Sequence, residues 1–442
     1  MISPKRRTEI IDALRRGTVP QRGLDALAVG TERFTAALDA ELETVAGGGA
    51  VFKAIRGEYG SGKTFTVRWL AERARQNGFV TSEVQISEGE TPLHHLQTVY
   101  RRAVERLATS DEPAGAMRSI IDGWFYALEN DVLAEGTISD QDVDRLVQAT
   151  DELAGRRLAE VSKLAPVFPL VLRAYRQALA GGDTATADGL LAWLGGQPHI
   201  AASLKRSAGI KGDLDHDGAL AFLSGLLVVM RDAGFSGLLL VLDEVETLQR
   251  MRSDARDRAL NALRQLIDEV DAGRFPGLYL LITGTPAFFD GPQGASRLPP
   301  LAQRLHTDFT ADARFDNPRA IQLRLRGFTI ESLCEVGRNV RDIYADGASQ
   351  PERVRARCDD ATIETLAESV TGNLGGNVGV APRVFLKKLV GDLLDRIDQF
   401  ADFDPKKDYA LTIADAELSE IERNARRGAA SVDDIELEDE GE

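Results

Sequence analysis

The segment Gly57-Glu58-Tyr59-Gly60-Ser61-Gly62-Lys63-Thr64 has the residue types and spacing of a phosphate-binding loop, G-x-x-x-x-G-K-[ST]. Its glycines allow the backbone to fold into a concave nest of N–H groups, where a Cβ would crowd the phosphates. The apolar run Val51-Phe52-Lys53-Ala54-Ile55 precedes it and a helical run over 65–76 follows, the strand–loop–helix setting such a loop requires. The helix start adds orphan N–H donors and partial positive charge. Lys63 is expected to reach the β- and γ-phosphates and the Thr64 hydroxyl to take one Mg²⁺ position. Gly57 through Thr64, with Phe65 behind them, are therefore the candidate contacts for a nucleoside triphosphate.

The second acidic half of such a site is Leu238-Leu239-Leu240-Val241-Leu242-Asp243-Glu244. A buried strand ending in Asp-Glu puts Asp243 where it can join the Mg²⁺ shell and Glu244 where it can orient and deprotonate water. Alone, that ending equally describes a solvated acidic turn; its place after a complete phosphate loop is what gives it weight. The next apolar strand ends Ile282-Thr283-Gly284-Thr285-Pro286 and falls between the other two if the sheet has the order usual in ATPases. Thr285 is the first choice to touch the γ-phosphate or water, with Thr283 in reserve. Arg304 follows on a helix as the candidate for neutralising transition-state charge in a neighbouring subunit, and Arg297 competes with it. Lys63, Glu244, Thr285 and Arg304 make up the catalytic candidates. Arg383, in Val380-Ala381-Pro382-Arg383, starts a helix after a glycine loop, from which it can reach back to the phosphates.

These residues must be held by a layered α/β framework. Strands are predicted over 81–86, 237–242 and 277–282, the last two as the almost purely apolar runs of strands buried on both faces. Helices are predicted over 4–16 and 31–45. From 92 to 233 the chain has helical periodicity and little strand signal, with the run 219–230 reading as a buried helix. After about residue 317 it is helical and charged, broken by the loop 371–380. That loop, Gly372-Asn373-Leu374-Gly375-Gly376-Asn377, follows no strand and reads as a hinge, not a dinucleotide fingerprint.

At 442 residues, 43% hydrophobic and 28% charged, the chain has the composition of a soluble protein with more than one domain. Two cysteines without ligand spacing exclude a disulfide framework and fit a reducing cytoplasm. The five histidines, His94, His95, His199, His216 and His306, show no metal spacing. No run is long enough to span a bilayer. A net charge of −16 argues against a broad nucleic-acid surface and leaves double-stranded DNA only a local basic patch. Part of that charge lies in an acidic tail, 428–442, expected to be disordered.

Taken together, the phosphate loop, the Asp-Glu strand, the threonine-ended strand, the Arg304 helix and Ala381-Pro382-Arg383 resemble AAA+ ATPases of the origin-recognition type. Arg15-Arg16-Gly17-Thr18-Val19-Pro20, Leu242-Asp243-Glu244-Val245-Glu246-Thr247 and Thr283-Gly284-Thr285-Pro286 are further similar to the BrxD-type ATP-binding proteins of BREX phage-defence systems. The resemblance implies a three-layer AAA+ core with a parallel sheet over 1–325 and a helical lid over 326–427; the wide spacing between Thr64 and Asp243 departs from a compact AAA+ core and predicts a helical insertion at about 92–233. It also implies ATP and Mg²⁺ as ligands, homo-oligomerisation and other defence proteins as partners. A hydrolysing ATPase that remodels DNA or protein complexes is the first functional expectation. A slow nucleotide-gated switch or adaptor is the second. A small-molecule phosphotransferase would need an acceptor pocket under a basic lid, and the lid region offers only scattered arginines.

Overall fold

Five strands form one parallel sheet in the order β2-β3-β4-β1-β5: β1 (Val51–Arg56), β2 (Val80–Gln85), β3 (Leu238–Asp243), β4 (Leu278–Gly284) and β5 (Gln322–Arg324). These are features of a computed structural model, which describes residues 2–139, 141–374, 382–419, 422, 423 and 426. The acidic tail and Gly375, Gly376 and Asn377 of the glycine loop lie outside the described residues.

Every residue of β3 and β4 is buried, which is why both read as continuous apolar runs without alternation. β3 pairs with β2 from Val80↔Leu238 to Gln85↔Asp243 and with β4 from Leu238↔Leu278 to Leu242↔Ile282. β4 thus separates β3 from β1, the strand that runs into Gly57. β5 is absent from the sequence-level reading, which has helix there. It has three residues, too few to display alternation, and its place is set by pairing, with the Ala54 N–H donating to the Ile321 carbonyl at 2.8 Å next to it.

The chain divides into two compact units. One comprises residues 37–55 and 73–323. It holds the sheet and the eight insertion helices α4 (Leu96–Glu105), α5 (Met117–Ala134), α6 (Val143–Arg157), α7 (Ala159–Leu164), α8 (Val167–Ala180), α9 (Thr184–Leu194), α10 (Ala202–Ser207) and α11 (His216–Asp232). Their apolar side chains, among them Trp124, Phe168 and Phe222, belong to the same buried cluster as Phe52, Leu240 and Leu280 of the strands. The Ser82 hydroxyl donates to the Ala103 carbonyl at 2.8 Å, tying α4 to β2. A shared core, not a linker, therefore carries the insertion. Inside this unit Lys53 of β1 is almost fully buried; its ammonium meets Glu41, whose other oxygen accepts from the Tyr279 hydroxyl of β4. A buried lysine requires such a partner, because an uncompensated charge there would cost several kcal/mol.

The other unit comprises residues 1–36, 56–72 and 324–442. Helix α1 (Pro4–Arg15) starts with Ser3 as N-cap and proline in its first turn. Its Ile10, Ile11 and Leu14 join Leu333, Val340, Ile363, Phe385 and Leu389 in a second apolar cluster. Three of the helices supplying that cluster are Ile330–Ala345, Asp360–Asn373 and Pro382–Lys388. Among the described residues no helix is long and apolar enough to cross a membrane.

Candidate functional site

The Gly57–Thr64 motif lies in the unit of residues 1–36, 56–72 and 324–442. Gly60 and Gly62 take φ of 78° and 91°, the left-handed region that side chains disfavour. A Cβ on Gly57 would meet the Ser61 Oγ at 2.3 Å. That Oγ is buried and makes no hydrogen bond among the described residues. Helix α3 (Lys63–Gln76) begins within the motif, so its first N–H groups face the loop. The buried Lys63 ammonium donates to the Gly57 carbonyl at 2.8 Å and approaches the Glu58 carbonyl at 3.4 Å, 4.9 Å from the Tyr59 ring centre. Here the lysine closes its own loop. Phe65 is half-buried against the apolar cluster, so its evident work is to seat α3.

The Asp243-Glu244 motif lies in the sheet unit. Asp243, the last residue of β3, is buried, and its Oδ1 accepts from the Thr283 hydroxyl and, at 3.1 Å, from the Glu244 N–H. Its Oδ2 accepts nothing among the described residues. Glu244 follows at φ 59°, a conformation that costs a non-glycine residue about 1 kcal/mol. The Thr247 hydroxyl donates to the Glu244 carbonyl at 2.9 Å and holds the turn. The Gln85 amide donates to Glu244 Oε2 at 2.8 Å. Sequence reasoning missed Gln85; its signal is the register, since Gln85 pairs with Asp243 across β2 and β3.

Of the two threonines, Thr283 is fully buried within β4 and bonded to Asp243. Thr285 lies beyond the strand, capping Pro286–Asp290 by its backbone, and its side chain makes no hydrogen bond among the described residues. Arg304 pairs with Asp268 and donates to the Pro300 carbonyl at 2.9 Å. Arg297 pairs with Asp257 and donates to Ser253 at 2.8 Å. Arg383, in the other unit, donates to Glu422 at 2.8 Å and to the Glu417 carbonyl at 2.7 Å. Its pKa is raised, chiefly by the Glu422 hydrogen bond. Burial would raise the Glu417 carboxyl, but hydrogen bonds from Lys388, the Ala414 N–H and Lys387 bring it to about 2.

A glycine cradle with an orphaned buried hydroxyl, and a carboxylate with one open oxygen, suit a phosphate chain and a hard divalent cation. Among the described residues no group of three or more His, Cys, Asp or Glu could hold a metal, and Mg²⁺ needs none, since it takes one or two carboxylates plus phosphate. The fold and these elements define a P-loop nucleotide-binding α/β protein. The family described as BREX system ATP-binding protein BrxC/D matches residues 2–413, and the chain belongs to it. ATP binding and a part in BREX phage defence come with that membership. Comparison with curated proteins returns no match.

Proposed function

We propose that this chain is an AAA+-type ATPase that binds ATP and Mg²⁺, with the Gly57–Thr64 loop for the phosphates and Asp243 for the metal, and hydrolyses it. The observation that carries the reading is that a complete phosphate loop and an Asp-Glu strand end occur together in a chain of an ATP-binding family. Gly57 directly follows β1, and Asp243 closes β3, two strands of the one sheet. Gly57 to Gly62 and the start of α3 would hold the triphosphate with backbone N–H groups, and Lys63 would exchange its carbonyl ties for the β- and γ-phosphates. Thr64 and the open oxygen of Asp243 would hold Mg²⁺, whose chemistry is to neutralise charge on the phosphate oxygens. Glu244 would take the proton of the attacking water, and Thr285, whose side chain makes no hydrogen bond among the described residues, would contact the γ-phosphate or that water. Arg383 would meet the phosphates after leaving Glu422. Hydrolysis to ADP and phosphate would drive remodelling of DNA or protein complexes in defence, in a homo-oligomer working with other defence proteins.

A second reading, a slow nucleotide-gated switch, is favoured by one observation. Both arginines proposed to act on a neighbouring subunit, Arg304 and Arg297, are paired with carboxylates of their own chain. Steady-state ATPase rates with and without double-stranded DNA separate the two. A DNA-stimulated rate lost in Glu244→Gln supports the motor, and a low rate indifferent to DNA supports the switch. Light scattering with and without ATP and Mg²⁺ tests the oligomer.

A further inference from the structure

We infer that Thr283 is a positioning residue that aims the Asp243 carboxylate and sets the backbone of Glu244 with a single hydroxyl. The inference rests on the Mg²⁺–nucleotide reading above. A hydroxyl has one proton to give, and the Thr283 proton goes to Asp243 Oδ1. Its lone pair then accepts the Glu244 N–H at 3.1 Å, a hydrogen that Asp243 Oδ1 shares at 3.1 Å. Oδ1 is thereby turned toward β4 and filled by two donors, which leaves Oδ2 as the oxygen available to a cation. The same shared N–H holds Glu244 in its left-handed conformation, at φ 59°, and so fixes where the next side chain departs. Thr283 is buried near the end of β4 with its hydroxyl bonded to Asp243, whereas Thr285, also buried, lies beyond the strand and its side chain makes no hydrogen bond among the described residues. Two threonines that look interchangeable in sequence are thus divided in role. Thr283 acts through the acids, and Thr285 is left to face the nucleotide.

The test measures AMPPNP affinity by calorimetry with and without Mn²⁺, alongside the Mn²⁺ EPR spectrum, for wild type, Thr283→Val and Thr283→Ser. Partners that orient a metal-binding carboxylate are worth about 10-fold or more in metal affinity. Thr283→Val is therefore expected to lose about 10-fold of the tightening that Mn²⁺ confers, with metal-free affinity unchanged. Thr283→Ser, which keeps the hydroxyl, is expected to restore it. Should the valine variant fail to fold, Thr283→Ala against Thr283→Ser makes the same comparison. Wild-type tightening in Thr283→Val, or equal loss in the serine variant, would overturn the positioning role while leaving the nucleotide site intact. Wild type that binds AMPPNP with no response to Mn²⁺ would overturn the underlying metal reading and the inference with it.

Discussion

Replacing Lys63 by alanine separates two things this lysine does. In the structure its ammonium ties down the loop through the Gly57 carbonyl at 2.8 Å, a charge-assisted bond of about 1.5–3 kcal/mol. With ATP bound, the same ammonium would instead serve the β- and γ-phosphates, two such bonds of about 3–6 kcal/mol together. Only the difference appears in affinity, because the Gly57 tie is surrendered on binding along with the longer, weaker 3.4 Å contact to the Glu58 carbonyl. That difference is about 2 kcal/mol, or about a 30-fold weaker ATP complex. AMP ends at the α-phosphate, beyond which the lysine has nothing to hold, so its affinity should change less than about 3-fold. Competition against a fluorescent nucleotide measures both, and a thermal melt checks that the variant is folded. Unchanged ATP affinity would refute the role of Lys63. An equal loss for ATP and AMP would show a collapsed loop in place of a missing phosphate contact.

Other perturbations test neighbouring parts of the site. Glu244→Gln should keep ATP affinity within about 3-fold and slow hydrolysis by about 100-fold or more, and normal turnover in a phosphate-release assay would remove Glu244 from its role. Gln85→Ala removes a hydrogen bond of about 1 kcal/mol from that carboxylate and should raise the hydrolysis rate up to about 5-fold at constant ATP affinity; a loss of affinity would place Gln85 with the loop instead. Glu422→Gln weakens the hold on Arg383 and should tighten ATP binding about 5-fold, an effect absent when Arg383 is also alanine; the same tightening without Arg383 would contradict the latch. The Glu417 carboxylate, depressed from 4.5 to about 2, stabilises the fold fully above pH 4.5 and progressively less as pH falls toward 2. Melting curves across that window should show wild type losing stability that Glu417→Gln never had, and parallel curves would refute the linkage.

The elements that present the motifs could be read from residue pattern alone. β3 and β4 are apolar runs because they are buried, β1 is largely apolar around its paired Lys53, and the glycines and lysine of the loop admit few alternatives. What stayed hidden depends on pairing between distant segments. Gln85 faces Glu244 only because β2 lies beside β3, and no local signal in Val80–Gln85 announces that neighbour. Thr283 and Thr285 differ by where β4 ends, a boundary that Gly284 and Pro286 leave open to pattern reading. The carboxylate on Arg383 comes from Glu422, beyond the family match at 2–413, so no motif pointed to it. β5 escaped because three residues carry no period.

The most direct measurement is a crystal structure of the Glu244→Gln protein grown with ATP and Mn²⁺, with the metal located by its anomalous signal. The expected result is the triphosphate within Gly57 to Thr64 and the metal held by the Thr64 hydroxyl and the Asp243 carboxylate, directly or through a bound water. A metal or triphosphate bound away from either residue would contradict it.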